Sequence, residues 1–255
     1  MCLILFSYMN HPRYKLILAS NRDEHYERPT RVLGFWPENP DILAGRDERS
    51  LGTWLGVSRG GKIAAITNFR DLSALKDPAP SRGLLVSSYL GGPLGPMDYL
   101  ESLRTRAGDY SGFNLLAGDS RGLYYFSNMG GGVQKVEAGI HGLSNAFLDT
   151  PWPKVEKGKK AFGAVIGQND LIQNEAVFEL LADSTMPPDH ELPDTGVGIS
   201  WERVLSPLFI RSPLYGTRSQ ALVLVDYADR ITFVERTCNR EKSSASATQT
   251  RSFSL

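Results

Sequence analysis

Cys2 follows the initiator Met1, and a small second side chain is the circumstance in which that methionine is normally removed. Removal would leave a thiol and a free α-amine on one residue. The thiolate is a strong nucleophile, and an α-amino group titrating at about 7.7 to 8.0 can take the thiol proton near neutrality. Such a residue needs no separate catalytic histidine. The ordinary reading of the same cysteine is a small buried side chain that opens a strand.

A second concentration of reactive groups is Asn21-Arg22-Asp23-Glu24, at the exit of the apolar segment 14–19. That segment and residues 2–8 read as a hairpin, which brings part of the charged run near Cys2. There Asp23 could hold the α-amine. Arg22, with Asn21 and Glu24 in the same run, could stabilise an anion or clamp an acidic ligand. A surface ion-pair network or an Asx turn is the ordinary alternative.

Asn68 and Asn145 each end an apolar strand, where an amide could donate to a developing oxyanion or grip a substrate amide, or else cap a turn. Arg218, within Tyr215-Gly216-Thr217-Arg218-Ser219, could supply a fixed positive charge beside the site. The four histidines are dispersed, and neither an HExxH pair, a Cys/His cluster nor an EF-hand loop occurs, so no structural metal is expected. His25 or His141 could still ligate a haem iron. Neither a P-loop nor a GxGxxG run is present, which disfavours the nucleotide-binding folds that use them.

These groups must be carried mainly by hairpins. Residues 53–57 and 63–68 flank the turn Arg59-Gly60-Gly61-Lys62, whose glycines are expected to supply positive φ. Segments 82–90 and 97–106 read as helices, the first behind a Ser81 cap. Strands are expected at 112–118 and 122–127, and another leads from the flexible Gly130-Gly131-Gly132 into Gly142-Leu143-Ser144-Asn145. Residues 170–183 carry an amphipathic stripe, and 221–225 with 231–234 form a last hairpin. Hairpins grouped between helices point to layered sheets covered by helices, not to βαβ units.

The 255 residues, of which 41% are hydrophobic, suffice for one large domain over 1–238, with a Ser/Thr-rich tail over 239–255 expected to be disordered. Lys plus Arg and Asp plus Glu are equal at 28 each, so no basic field invites nucleic acid or an acidic membrane. Two cysteines, Cys2 and Cys238, argue against a disulfide framework and favour a reducing compartment. The opening apolar run has no preceding basic segment and is not read as a signal peptide, and no run approaches the roughly 18 to 20 residues that span a bilayer. A soluble, cytoplasmic protein is the expectation.

The run Ala19-Ser20-Asn21-Arg22-Asp23-Glu24-His25-Tyr26-Glu27-Arg28-Pro29 closely resembles the signature of the NRDE, or transport-and-Golgi-organisation, family. Further landmarks follow in family order: Met1-Cys2, Gly52-Thr53-Trp54-Leu55-Gly56, Thr67-Asn68-Phe69, Gly112-Phe113-Asn114-Leu115, Gly142-Leu143-Ser144-Asn145-Ala146, Thr150-Pro151-Trp152-Pro153-Lys154 and Tyr215-Gly216-Thr217-Arg218. The resemblance implies an N-terminal-nucleophile hydrolase-like fold, a four-layer αββα sandwich of two antiparallel sheets in the α+β class. The Met-Cys start is similar to that of bile-salt hydrolases and penicillin V acylases, whose terminal cysteine attacks an amide carbonyl.

By that analogy Asp23 orients the Cys2 amine, Asn68 and Asn145 serve the oxyanion and substrate amide, and Arg218 completes the electrostatics. Those acylases place an arginine three residues before the aspartate, where this chain has Ser20, its own arginine being Arg22. Strand alternation would turn Arg22 and Asp23 to opposite faces. The family is also associated with secretory-pathway organisation, haem mobilisation and lipid or acyl-CoA metabolism. Two functions are therefore expected: a Cys2-dependent hydrolase of a small-molecule amide or thioester, needing no cofactor, or a non-catalytic haem or acyl-CoA carrier using the same cleft.

Overall fold

Strands predominate because short runs rich in apolar, β-branched and aromatic residues are separated by turn-forming Gly, Pro, Asn and Asp. In a computed structural model, which describes residues 2–238 and 249–255, thirteen strands are formed. In order these are β1 (Cys2–Tyr8), β2 (Tyr14–His25), β3 (Thr30–Trp36), β4 (Asn39–Asp47), β5 (Leu55–Ser58), β6 (Ile63–Asn68), β7 (Phe113–Asp119), β8 (Gly122–Ser127), β9 (Gly130–Lys135), β10 (Gly139–Leu143), β11 (Tyr215–Asp226), β12 (Ile231–Thr237) and β13 (Gln249–Ser254). The α-helices are α1 (Gly83–Gly91), α2 (Pro96–Leu103), α3 (Pro153–Ile166), α4 (Asn174–Leu181) and α5 (Ile199–Leu205).

One compact unit comprises the chain up to Glu27, Glu137–Ser144 and Leu148–Leu255. Its antiparallel sheet has the order β10-β1-β2-β11-β12-β13, so β1 is an interior strand paired on both sides. Alternation divides β1 and β2 between two faces. Leu3, Leu5, Ile17 and Ala19 turn to one, where they pack with Val155, Phe162 and Ile166 of α3 and Val177, Phe178 and Leu181 of α4. Cys2, Ile4 and Phe6 turn to the other.

The second unit comprises Arg28–Val136 and Asn145–Phe147. Its seven strands run as a meander, β3-β4-β5-β6-β7-β8-β9, with α1 against β4, β5 and β6 and α2 against β7 and β8. Lys62, just before β6, donates to the carbonyls of Tyr89 at 3.1 Å and Leu94 at 2.8 Å and so ties down the end of α1.

Several elements differ from the sequence expectation. Strand β2 does not stop at residue 19 but continues through Asn21-Arg22-Asp23-Glu24 to His25, because β1 and β11 pair with this polar run. Only Gly61 of the Arg59–Lys62 turn has a positive φ, at 80°. Helix α1 has Arg82 at its N-cap with no side-chain bond, and Ser81 contributes its backbone carbonyl to Leu84 instead of a hydroxyl cap. The glycines 130–132 belong to β9, and strands β3 and β4 and helices α3 and α5 were not anticipated.

The expected tail is also corrected in part. Gln249–Ser254 forms β13 on the edge of the first sheet, its backbone satisfied by β12, while 239–248 lie outside the described residues. Phe162 is fully buried among Leu3, Leu5 and Ile17, so its truncation tests the covering of the sheet by α3. Phe162→Ala is expected to reduce the unfolding free energy by about 3–5 kcal/mol in urea titrations, and a loss under about 1 kcal/mol would contradict this packing.

Candidate functional site

The β1–β2 register sets the surroundings of the cysteine. Cys2 pairs directly with Arg22, and direct partners in an antiparallel ladder share a face, so thiol and guanidinium stand together on the face away from α3 and α4. Glu24, two residues along β2, belongs to the same face, its Oε1 accepting from the His25 amide at 2.9 Å. Both Cys2 and Arg22 are buried.

Asp23 projects to the helix-covered face, as alternation requires. It pairs with Thr217 of β11, whose hydroxyl donates to Asp23 Oδ1 at 2.7 Å. The Tyr215 hydroxyl donates to the Asp23 carbonyl at 3.0 Å, fixing the backbone from the same strand. Gly216 lies between them, where a Cβ would meet the Ile210 carbonyl at 2.7 Å and the Tyr26 hydroxyl, so β11 and β2 can approach only with a glycine there.

Between Thr217 and Ser219 the register slips: Thr217 faces Asp23, Ser219 faces Arg22, and Arg218 is the extra residue of a β-bulge. The bulge turns Arg218 away from the helix face. It donates to the His25 carbonyl at 2.7 Å, and Arg22, Glu24 and the titratable Tyr26 act on it electrostatically. Burial lowers the Arg218 pKa, and the like charge of Arg22 lowers it further.

Burial pushes the Cys2 thiol up. The positive amino terminus and Arg22 pull it back, and Asp23 and Glu24 add to the rise. Burial also raises Asp23, against the amino terminus, Lys154, the Thr217 bond and Arg22. A thiol so desolvated carries little thiolate at neutrality and depends on an adjacent base.

Of the remaining candidates, Asn21 is fully buried, with its amide nitrogen donating to the carbonyls of Leu181 and Leu208 at 2.8 Å each. Those bonds clamp two chain segments to the helix-covered face. Asn68 and Asn145 come together in the second unit, where Asn145 Nδ2 donates to the Asn68 carbonyl at 2.9 Å. The Arg70 amide donates to the Asn145 carbonyl at 2.7 Å. Thr217 and Lys154 were not singled out from sequence, although both sit in quoted motifs. Lys154 is buried at the start of α3 and donates to the Leu205 carbonyl at 3.0 Å. Among the described residues no cluster of three or more His, Cys, Asp or Glu could hold a metal ion, and no helix is long and apolar enough to cross a membrane.

The two histidines weighed as haem ligands are differently placed. His25 is exposed, its ring edge-on to Tyr215 at 5.3 Å. His141 has Nδ1 at 2.7 Å from Asp149 Oδ2 and Nε2 at 3.0 Å from the Glu137 carbonyl. Both partners accept, so both nitrogens must donate, which makes the ring an imidazolium and leaves neither nitrogen for iron. Lys159 completes the group, bonding Asp149 Oδ1 at 3.0 Å with Glu156 beyond it.

The Asp149 bond raises the His141 pKa above its ordinary value, against the effects of burial and Lys159. A folded-state value above that of the unfolded chain stabilises fully below about 6.5 and ceases to do so as pH rises through the folded value. Wild-type protein is therefore expected to lose melting temperature relative to His141→Gln as pH is raised from about 6 to 9. Parallel melting profiles across that range would contradict the imidazolium.

The family model described as Transport and Golgi organisation 2 matches residues 1–240. The mouse Transport and Golgi organization 2 homolog is 35% identical over 276 residues, covering 100% of this chain and 99% of its own. The human homolog is 34% identical at the same coverage, and the Drosophila melanogaster protein is 30% identical over 93% of this chain and 92% of its own. Among solved structures, a Caenorhabditis elegans N-acylethanolamine-hydrolyzing acid amidase ortholog has a TM-score of 0.52 at 9% identity, covering 88% of this chain and 92% of its own. That likeness confirms the expected fold class, two antiparallel sheets with helices in an N-terminal-nucleophile hydrolase-like arrangement. Matched along almost its whole length by the family model and by relatives at comparable identity, the chain belongs to the Transport and Golgi organisation 2 family.

Proposed function

We propose that this protein is a thiol hydrolase of a small-molecule amide or thioester, with Cys2 as nucleophile once Met1 is removed. The observation that carries the reading is the end of β1. Cys2 lies opposite Arg22 in an interior strand, and Asp23, the next residue, is buried and bonded to Thr217 on the other face. An α-amine at that strand end would have the thiol to one side and the carboxylate to the other. The solved amidase ortholog with the same fold supports an amide as the bond attacked.

The chemistry closes on the residue itself. The α-amine takes the thiol proton, and Sγ attacks the carbonyl carbon to give a tetrahedral oxyanion. Its collapse breaks the C–N bond, or the C–S bond of a thioester, and the leaving group departs with that proton. Water then adds to the enzyme thioester, giving up a proton to the amine, and the C–S bond breaks to restore the thiol. Arg22, on the thiol face, would favour negative charge there.

A second reading makes the face that carries Arg22 and Arg218 a carrier site for haem or acyl-CoA. The proximity of Arg22 and Arg218 favours it, since two adjacent guanidiniums suit a propionate or phosphate. For haem, the exposed His25 is the candidate ligand that retains an available ring.

Intact mass before and after a small thiol-reactive probe tests the hydrolase reading, with an internal control. Burial pushes Cys238 up to about 12, so on the order of one part in 10⁴ is thiolate at pH 8, and it should stay unlabelled. The expected result is a chain lacking methionine that takes one label, lost in Cys2→Ala. Retained Met1, or an inert Cys2 with saturable haem or acyl-CoA binding that survives Cys2→Ala, would favour the carrier.

A further inference from the structure

With Asp23 ionised, the Thr217 hydroxyl has no freedom in where it sends its proton. The Ile210 amide donates to Oγ1 at 2.9 Å, and Oγ1 lies 2.7 Å from Asp23 Oδ1. An ionised carboxylate can only accept, so with Asp23 charged the hydroxyl proton goes to Oδ1 while the Ile210 N–H occupies a lone pair of Oγ1. The pair is enclosed, Thr217 and Asp23 being 2% and 1% exposed. The β-branched side chain of threonine restricts χ1, which limits drift of the hydroxyl.

Neighbouring features preserve this pair. The Thr217 amide donates to the Ile210 carbonyl at 3.0 Å, so backbone and hydroxyl grip the same residue. The bulge comes immediately after Thr217, which leaves it opposite Asp23 while Ser219 moves opposite Arg22. We propose that Thr217 is a positioning residue: it holds Asp23 as an oriented hydrogen-bond acceptor, so that the carboxylate can fix the Cys2 α-amine as base. The inference rests on Cys2 being the nucleophile.

Charged groups acting on Asp23 include the amino terminus, Lys154 from α3 and Arg22 from its own strand; Asp23 in turn acts on Cys238 beyond β12, and Glu24 acts on Cys2. Removing the Thr217 bond leaves burial less opposed, so Asp23 would ionise only at higher pH. The acid limb of Cys2 reactivity should move up in consequence.

The test is the rate of Cys2 labelling by iodoacetamide against pH, on purified protein lacking Met1, for wild type, Thr217→Val and Thr217→Ser, with melting temperatures alongside. Thr217→Val is expected to label about tenfold or more slowly at pH 7, as loss of a hydrogen bond to a charged group implies, with its acid limb at higher pH. Thr217→Ser is expected to restore both. Wild-type rate and profile in Thr217→Val would overturn the inference while leaving the nucleophile intact. If Thr217→Val does not fold, Thr217→Ser decides: a wild-type profile supports the role, and a native melt with the slow, displaced profile overturns it. An unreactive Cys2 in wild type would remove the functional reading first, and the inference with it.

Discussion

The pairing of β1 with β2 is the constraint on which the rest of the site depends. Strand side chains alternate, so a slip of one residue would carry Cys2 onto the helix-covered face and separate it from Arg22. The register is fixed at the far end of the hairpin. Met9 takes a positive φ of 48° and its amide bonds the Lys15 carbonyl, while His11 Nδ1 accepts from the amides of Arg13 and Tyr14. A turn remote from the thiol therefore determines which residue faces it. Pairing of β1 with β10 on its other edge then keeps the terminal strand inside the sheet.

Alternation also separates the charges. Arg22, Glu24 and the bulged Arg218 share the thiol's side, while Asp23, Thr217 and Lys154 lie on the side of the helices. Burial raises both Cys2 and Asp23, the opposite of the electropositive setting that makes cysteines reactive without help. The two groups stand on opposite faces of the sheet, so neither relieves the burial of the other directly.

What was legible in the sequence is what local pattern determines. The β1, β6, β7, β8 and β12 strands follow from short apolar runs bounded by turn residues, and the family signature pointed to Cys2 and Asp23. The extension of β2 was not legible, because Asn21-Arg22-Asp23-Glu24 has the composition of a loop and becomes strand only through long-range partners on β1 and β11. Helix α3 was hidden by glycines and lysines that weaken its apolar stripe, although Val155, Phe162 and Ile166 recur at helical spacing. Thr217 gave no signal, since a threonine in a strand is ordinary until its partner is known. The double commitment of His141 likewise depends on Asp149 and on the Glu137 carbonyl, neither of which spacing could pair with it.

The arginine displaced from the acylase pattern can now be weighed geometrically. Ser20 occupies the position three before Asp23, and it pairs with Ile4, as Arg22 pairs with Cys2. Positions 20 and 22 have the same parity, so moving the arginine between them keeps it on the thiol's face. The shift along the strand is about 6.6 Å, two residues of rise. The guanidinium thus passes from one pleat deeper to directly opposite Cys2, leaving a small hydroxyl at the deeper place. Arg22 therefore keeps a positive charge on the face of Cys2, with the small Ser20 one pleat further along the strand.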